Sequence, residues 1–188
     1  MQQVAEPTLT TTTPDLDLIA PTRHAPVYKV LIAGDGSVGK SSLVQRHLTG
    51  RLIKARVMTV GVDFHTQTVK LGERDIRLSI WDIGGQKRFA CLRRSFYRGA
   101  RAAALVFDVS NADTLHALPM WRDEILKIAP KARILIVGNK VDRPRAVSNL
   151  VGKAWATAMG YPYLEASALS GQGVDRVFEG LGWLAATR

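Results

Sequence analysis

Short apolar runs alternate with amphipathic patterns along most of the chain. The segment Val27–Ala33 is an apolar run that opens directly into a glycine-rich loop, the pattern of a buried strand feeding a helix. Further runs lie at Ile76–Trp81, Ala102–Val109 and Ile134–Val137, and the last two are continuous enough to be covered on both faces of a parallel sheet. Between them, helical patterns are predicted over Ser41–His47, Thr114–Ile128, Ser148–Met159 and Val174–Ala185. Pro119 marks either a late start or a kink in the second of these. Residues Val60–Lys70 and Asp75–Trp81 read as two strands joined by a turn at Leu71–Arg74. Strands alternating with helices after an early hairpin predict an α/β protein, three layers around a mostly parallel sheet. The first 25 residues have no such period and are rich in Thr and Pro, so residues 1–25 are expected to be a flexible tail and residues 26–188 the single domain.

Composition narrows the function classes. The chain has 188 residues, enough for one domain with a full core. A single cysteine, Cys91, excludes an intrachain disulfide and a multi-cysteine zinc site, and fits a reducing compartment. No apolar run approaches a membrane span, so a cytoplasmic protein is expected. The net charge of +10 points to an anionic partner. Trp121, Trp155 and Trp183 fall on helical patterns and read as core or staple residues.

The strongest chemistry lies after the first strand. Gly34-Asp35-Gly36-Ser37-Val38-Gly39-Lys40-Ser41 fits G-x-x-x-x-G-K-[ST] between a strand and a helix, and Ser42 follows in the same turn. Glycines allow backbone N–H groups to converge on a phosphate, the helix N-terminus adds a favourable dipole, and Lys40 supplies a cation. Ser41 is the candidate hydroxyl ligand for Mg²⁺. This motif specifies phosphate but not a base.

Downstream, Asn139-Lys140-Val141-Asp142 follows the run Ile134–Gly138, at the strand edge where open α/β sheets bind ligands. An N-K-x-D motif after a phosphate loop resembles the guanine-specificity motif of small GTPases. Asp142 would accept from guanine N1–H and the 2-amino group, donors that adenine lacks. Asn139 would brace the loops and the Lys140 stem would lie along the base. Glu165-Ala166-Ser167-Ala168 is similar to the last GTPase motif, where the N–H of Ala168 would donate to guanine O6, and Leu169 stands where that family usually has lysine.

With Thr59-Val60-Gly61-Val62-Asp63-Phe64 and Trp81-Asp82-Ile83-Gly84-Gly85-Gln86, these segments resemble the ordered motif set of the Ras superfamily, and most of all its Rab branch. The resemblance implies a P-loop GTPase fold with a six-stranded, mostly parallel sheet and one antiparallel edge strand. It implies that Thr59 and Asp82 hold Mg²⁺ with Ser41, that Gly85 N–H meets the γ-phosphate, and that Gln86 orients the attacking water. Gly84 and Lys87 depart from Rab and resemble Arf proteins and G-protein alpha subunits. Leu52 stands where an aromatic residue often edges the guanine. Arg56 precedes Thr59 by three residues, the spacing of the arginine in alpha subunits; it reads either as a built-in arginine finger or as a solvated switch residue.

Lys87, Arg88, Arg93, Arg94, Arg98 and Arg101 are interleaved with Phe89, Phe96 and Tyr97 with no acid among them. This is either a solvated helix face or a nucleotide-gated surface. Phe64, Trp81 and Phe96 match the aromatic patch that Rab-like proteins present to effectors. The resemblance therefore implies a GTP-dependent effector, a GTPase-activating protein and an exchange factor. A weak contact with anionic membrane fits the charge, nucleic acid is not expected, and the protein should be a monomer. The last nine residues hold no cysteine for a lipid anchor. The expected function is a Mg²⁺-dependent switch that binds GTP and hydrolyses it to GDP; the alternative is a GTP-binding scaffold with negligible hydrolysis.

Overall fold

The computed structural model describes residues 25–52, 59–86 and 93–187. Its elements run β1 (Val27–Ala33), α1 (Lys40–Thr49), β2 (Val62–Leu71), β3 (Arg74–Ile83), a 3₁₀ turn (Arg94–Tyr97), β4 (Ala102–Asp108), α2 (Ala112–His116), α3 (Leu118–Ile128), β5 (Arg133–Asn139), α4 (Asn149–Ala158), β6 (Tyr163–Ala166) and α5 (Val174–Ala186).

Six strands form one sheet in the order β2-β3-β1-β4-β5-β6. β2 pairs antiparallel with β3, and every other pairing is parallel. The apolar texture of β4 has its cause here: all seven of its residues are buried, because helices cover both faces. On one face α1 contributes Leu43 and Val44, and α5 contributes Val174, Val177, Phe178 and Leu181. On the other, α3 contributes Leu118, Trp121 and Ile125, and α4 contributes Ala156. This is the three-layer arrangement that the alternating pattern predicts.

Three local readings change. The helix expected over Thr114–Ile128 is two helices, with Pro119 in the first turn of α3, where the missing N–H costs nothing. The hairpin turn shortens to Gly72 and Glu73, because cross-strand pairing continues out to Leu71 and Arg74. Trp183 is 57% exposed and not a core residue, since it lies on the opposite side of α5 from the stripe of Val177, Phe178, Leu181 and Ala185.

The parallel strands β1, β3, β4, β5 and β6 all end at the same sheet edge. The segments that follow them, including those beginning at Gly34, Gly84 and Lys140, are therefore gathered there, whatever their separation in sequence.

Candidate functional site

Between β1 and α1 the chain folds around its own lysine. Lys40 Nζ donates to the carbonyls of Gly34 at 2.8 Å and Asp35 at 2.7 Å. Its side chain is buried, which pushes its pKa down to about 8. Gly39 is the N-cap of α1, in left-handed conformation with φ 95°, and no side chain caps the helix. The first-turn N–H groups thus lack a side-chain acceptor, the condition under which a helix start receives an anion. Gly85 closes the loop from the far side: a Cβ there would lie 2.4 Å from Asp35 C and Gly36 N, so only glycine fits. Val38 is buried, while Gly36 and Ser42 are half-buried and Ser37 is exposed.

Beside this loop, three oxygen-bearing side chains meet. Ser41 Oγ donates to Asp82 Oδ2, and Thr59 Oγ1 donates to the same oxygen at 3.2 Å. The two hydroxyls are 2.6 Å apart. Asp82 is 2% exposed, and burial raises its pKa. Its Oδ1 is buried with no hydrogen-bond partner among the described residues. A buried carboxylate with an orphaned oxygen beside two hydroxyls is an all-oxygen donor set suited to a hard divalent cation such as Mg²⁺. Gln86 lies half-buried at the end of the segment that follows β3.

The residues of the Asn139–Asp142 and Glu165–Leu169 segments converge as well. Asn139, fully buried, donates from Nδ2 to Val38 O at 2.8 Å and accepts at Oδ1 from Ala168 N at 3.3 Å. Lys140 Nζ donates to Ser37 O at 2.6 Å and pairs with Asp108 Oδ2 at 2.5 Å. Ser167 Oγ donates to Asp142 Oδ1 and orients that exposed carboxylate. Leu169 is 57% exposed at the edge of this loop. Leu52 is partly buried and packs against the core cluster to which α1 and α5 contribute.

The aromatic residues form a continuous row. Phe64 and Trp81 have centroids 5.7 Å apart, Trp81 and Phe96 6.0 Å, and Lys29 Nζ lies 3.6 Å from the Trp81 ring. Phe64 is 68% exposed.

The basic surface requires a correction. Arg93 is 2% exposed and makes a two-pronged pair with Glu124, Nε to Oε2 at 2.8 Å and Nη2 to Oε1 at 2.7 Å. The acid missing from its own segment arrives from α3. Arg94 and Arg98 remain exposed. Arg101 is exposed but donates to Ala185 O at 3.2 Å, tying the end of α5 to β4. Arg56, Lys87, Arg88, Phe89 and Cys91 lie outside the described residues.

Two partners at the site escape a reading of motifs. Asp108, at the end of β4, holds Lys140; its only sequence signal is an acid closing a continuous apolar run. Trp121, on α3, donates from Nε1 to Asp35 Oδ1 at 2.8 Å, and nothing in the helical pattern announces that bond.

The family model described as Ras family matches residues 29–185. The chain is 37% identical over 155 residues to the GTP-binding protein YPTM1 of Zea mays, covering 81% of this chain and 74% of the relative. It is 37% identical over 166 residues to the Ypt/Rab-type GTPase Rab7 of Gibberella zeae, covering 84% and 81%. It is 36% identical over 155 residues to the Ras-related protein Rab-1C of Dictyostelium discoideum, covering 81% and 77%.

Proposed function

The chain belongs to the Ras family of small GTPases, and from that premise we propose that it is a Rab-like switch that binds GTP with Mg²⁺, hydrolyses it to GDP and changes partner affinity between the two states. The observation that carries this reading is the meeting, at one sheet edge, of the Lys40 loop, the Ser41–Thr59–Asp82 oxygen cluster and the Asn139–Asp142 and Ser167–Ala168 loops.

In this reading Gly34, Asp35, Gly36, Ser37, Val38 and Gly39 wrap the β-phosphate, with N–H groups at the start of α1 completing the cradle and Ser42 beside it. Lys40 exchanges its two carbonyl partners for phosphate oxygens, which favours its charged form. Asp142 reads the guanine edge, Ala168 N–H donates to O6, Lys140 lies along the base and Leu169 borders it. Ser41, Thr59 and Asp82 hold Mg²⁺, which would neutralise charge on the phosphates when bound. Gln86 orients a water in line with the γ-phosphorus, whose new oxygen bond forms as the bond to the β–γ bridging oxygen breaks. Gly85 N–H marks the presence of the γ-phosphate. Phe64, Trp81 and Phe96 are the effector-facing row, with Arg94 and Arg98 on the neighbouring basic face. An activating protein, an exchange factor and a weak anionic-membrane contact belong to the same reading. Arg56 acts in cis on the transition-state charge, giving intrinsic hydrolysis nearer about 10⁻² s⁻¹ than about 10⁻⁴ s⁻¹.

Single-turnover hydrolysis of GTP with Mg²⁺, run beside Arg56→Ala and against ATP as competitor, tests this. A rate near about 10⁻² s⁻¹ that drops roughly 100-fold in the variant supports both switch and finger. Equal slow rates remove the finger. GTP bound but not turned over replaces the switch with a scaffold, and equal competition by ATP removes the guanine assignment.

A further inference from the structure

Trp121 is the largest fully buried side chain of the protein, yet its one polar atom is not left to the core. The indole N–H reaches Asp35, the second residue of the loop around Lys40. Asp35 is a node of that loop. Its carbonyl accepts from Lys40 Nζ at 2.7 Å, and its backbone is the surface against which Gly85 packs. A shift of Asp35 thus moves a lysine contact and the seat of the glycine after β3 together.

The indole is itself fixed from above. The Arg93 guanidinium carbon lies 4.0 Å from the centre of the Trp121 ring, a stacked cation–π contact. Arg93 is gripped by Glu124, one turn along the same helix, and Tyr97 Oη donates to Glu124 Oε2 at 3.2 Å. Both Arg93 and Tyr97 are buried, so the cluster is rigid and desolvated, and a bond from a neutral N–H to a carboxylate counts for more there than in water.

We propose that Trp121 is a positioning residue for the phosphate loop: its N–H fixes Asp35, and the Arg93–Glu124 pair fixes Trp121, so that α3 sets how tightly the loop retains nucleotide. The inference rests on reading residues 34–39 as the phosphate-binding loop. It extends that reading by giving the segment beginning at Arg93 a route to the loop that does not pass through the nucleotide. Sequence separation of 86 residues between the two bonded side chains hides this route from any motif.

The test is the dissociation rate of a fluorescent N-methylanthraniloyl-GDP from the full chain, chased with excess GDP. Trp121→Phe keeps an aromatic ring under Arg93 and removes the N–H. Release is expected to accelerate roughly tenfold, the size of one lost hydrogen bond to a charged group. Asp35→Ala should accelerate release as well, and the double variant should be no faster than the faster single one, the signature of one shared interaction. Trp183→Phe, an exposed tryptophan on α5, should leave the rate unchanged. Release from Trp121→Phe at the wild-type rate, even with a lowered melting temperature, overturns the proposal, as do multiplicative effects in the double variant. If Trp121→Phe fails to fold, the indole N–H resonances decide. Asp35→Ala must shift one of them and speed its exchange with solvent, and spectra unchanged in this region overturn the proposal. A wild-type chain that does not bind the labelled GDP overturns the phosphate-loop reading itself, an outcome distinct from wild-type release by the variant.

Discussion

Asn139 joins Val38 to the far side of the site: its side-chain amide donates to the Val38 carbonyl while its carbonyl oxygen accepts from Ala168 N–H. The residue is fully buried, so neither backbone group can turn to water if the amide is lost. Two loops contributed by distant strands are thereby held at fixed spacing. Asn139→Ala should destabilise the protein by about 3 kcal/mol, the cost of leaving two buried backbone groups unpaired. Urea unfolding measures this, and nucleotide release should quicken in parallel. A variant with wild-type stability would mean that the loops are held by other contacts.

Asp82 yields a metal-dependent expectation. Its Oδ1 lacks a partner among the described residues, and its Oδ2 is shared by Ser41 and Thr59. Chelation by EDTA should accelerate GDP release from the wild-type chain by at least about tenfold, since one charge-assisted interaction at that oxygen is worth more than about 1.4 kcal/mol. Ser41→Ala should release GDP fast already and respond little to EDTA. Release from the wild-type chain that is indifferent to EDTA would remove Mg²⁺ from the site.

What the sequence made legible is what is local in sequence. The Gly34–Ser41 loop is readable because consecutive residues carry its backbone requirements, and the Asn139–Asp142 segment because it sits where an apolar run ends, whereas Glu165–Ala168 was legible only through its resemblance to a known motif. The central strands were readable for the same reason: the runs Ala102–Phe107 of β4 and Ile134–Val137 of β5 are apolar because both faces are covered. Pairings across the fold were not. Arg93 sits in a run of bases that reads as an exposed face, whether solvated or a nucleotide-gated surface, until α3 brings Glu124 beneath it, 31 residues on. Trp121 and Trp183 look alike as aromatic residues on helical patterns, yet one is buried against the loop and the other faces solvent, because only packing decides which side of a helix is covered.

Glu124 carries a pH dependence whose sign is determined. Burial pushes its carboxyl up, but hydrogen bonds from Arg93 outweigh this and hold its pKa below the ordinary glutamate value of 4.5. The unfolded chain therefore binds the proton more readily, and the stabilisation is complete above about pH 5 and is lost as pH falls through the folded pKa. Glu124→Gln should cost about 3 kcal/mol near pH 7, because Arg93 is left buried without its carboxylate. The gap between variant and wild type should shrink steadily below about pH 4.5. Melting curves from pH 3 to 7 test this, and a gap constant over that range would show that the pair is not the source.

Ser37 holds a left-handed backbone, φ 63°, in the middle of the loop between β1 and α1. A side chain at that angle crowds its own carbonyl and costs about 1 kcal/mol, a cost glycine does not bear. The position is nonetheless used through its backbone, because Ser37 O accepts the Lys140 ammonium. Ser37→Gly keeps that carbonyl and removes the strain, although the more flexible unfolded chain takes back part of the gain. The net expectation is a melting temperature higher by about 1 to 3 °C, with the Lys140 contact intact and the affinity for GDP unchanged within about twofold. A lowered melting temperature would mean that the Ser37 side chain makes a stabilising contact worth more than the strain it brings.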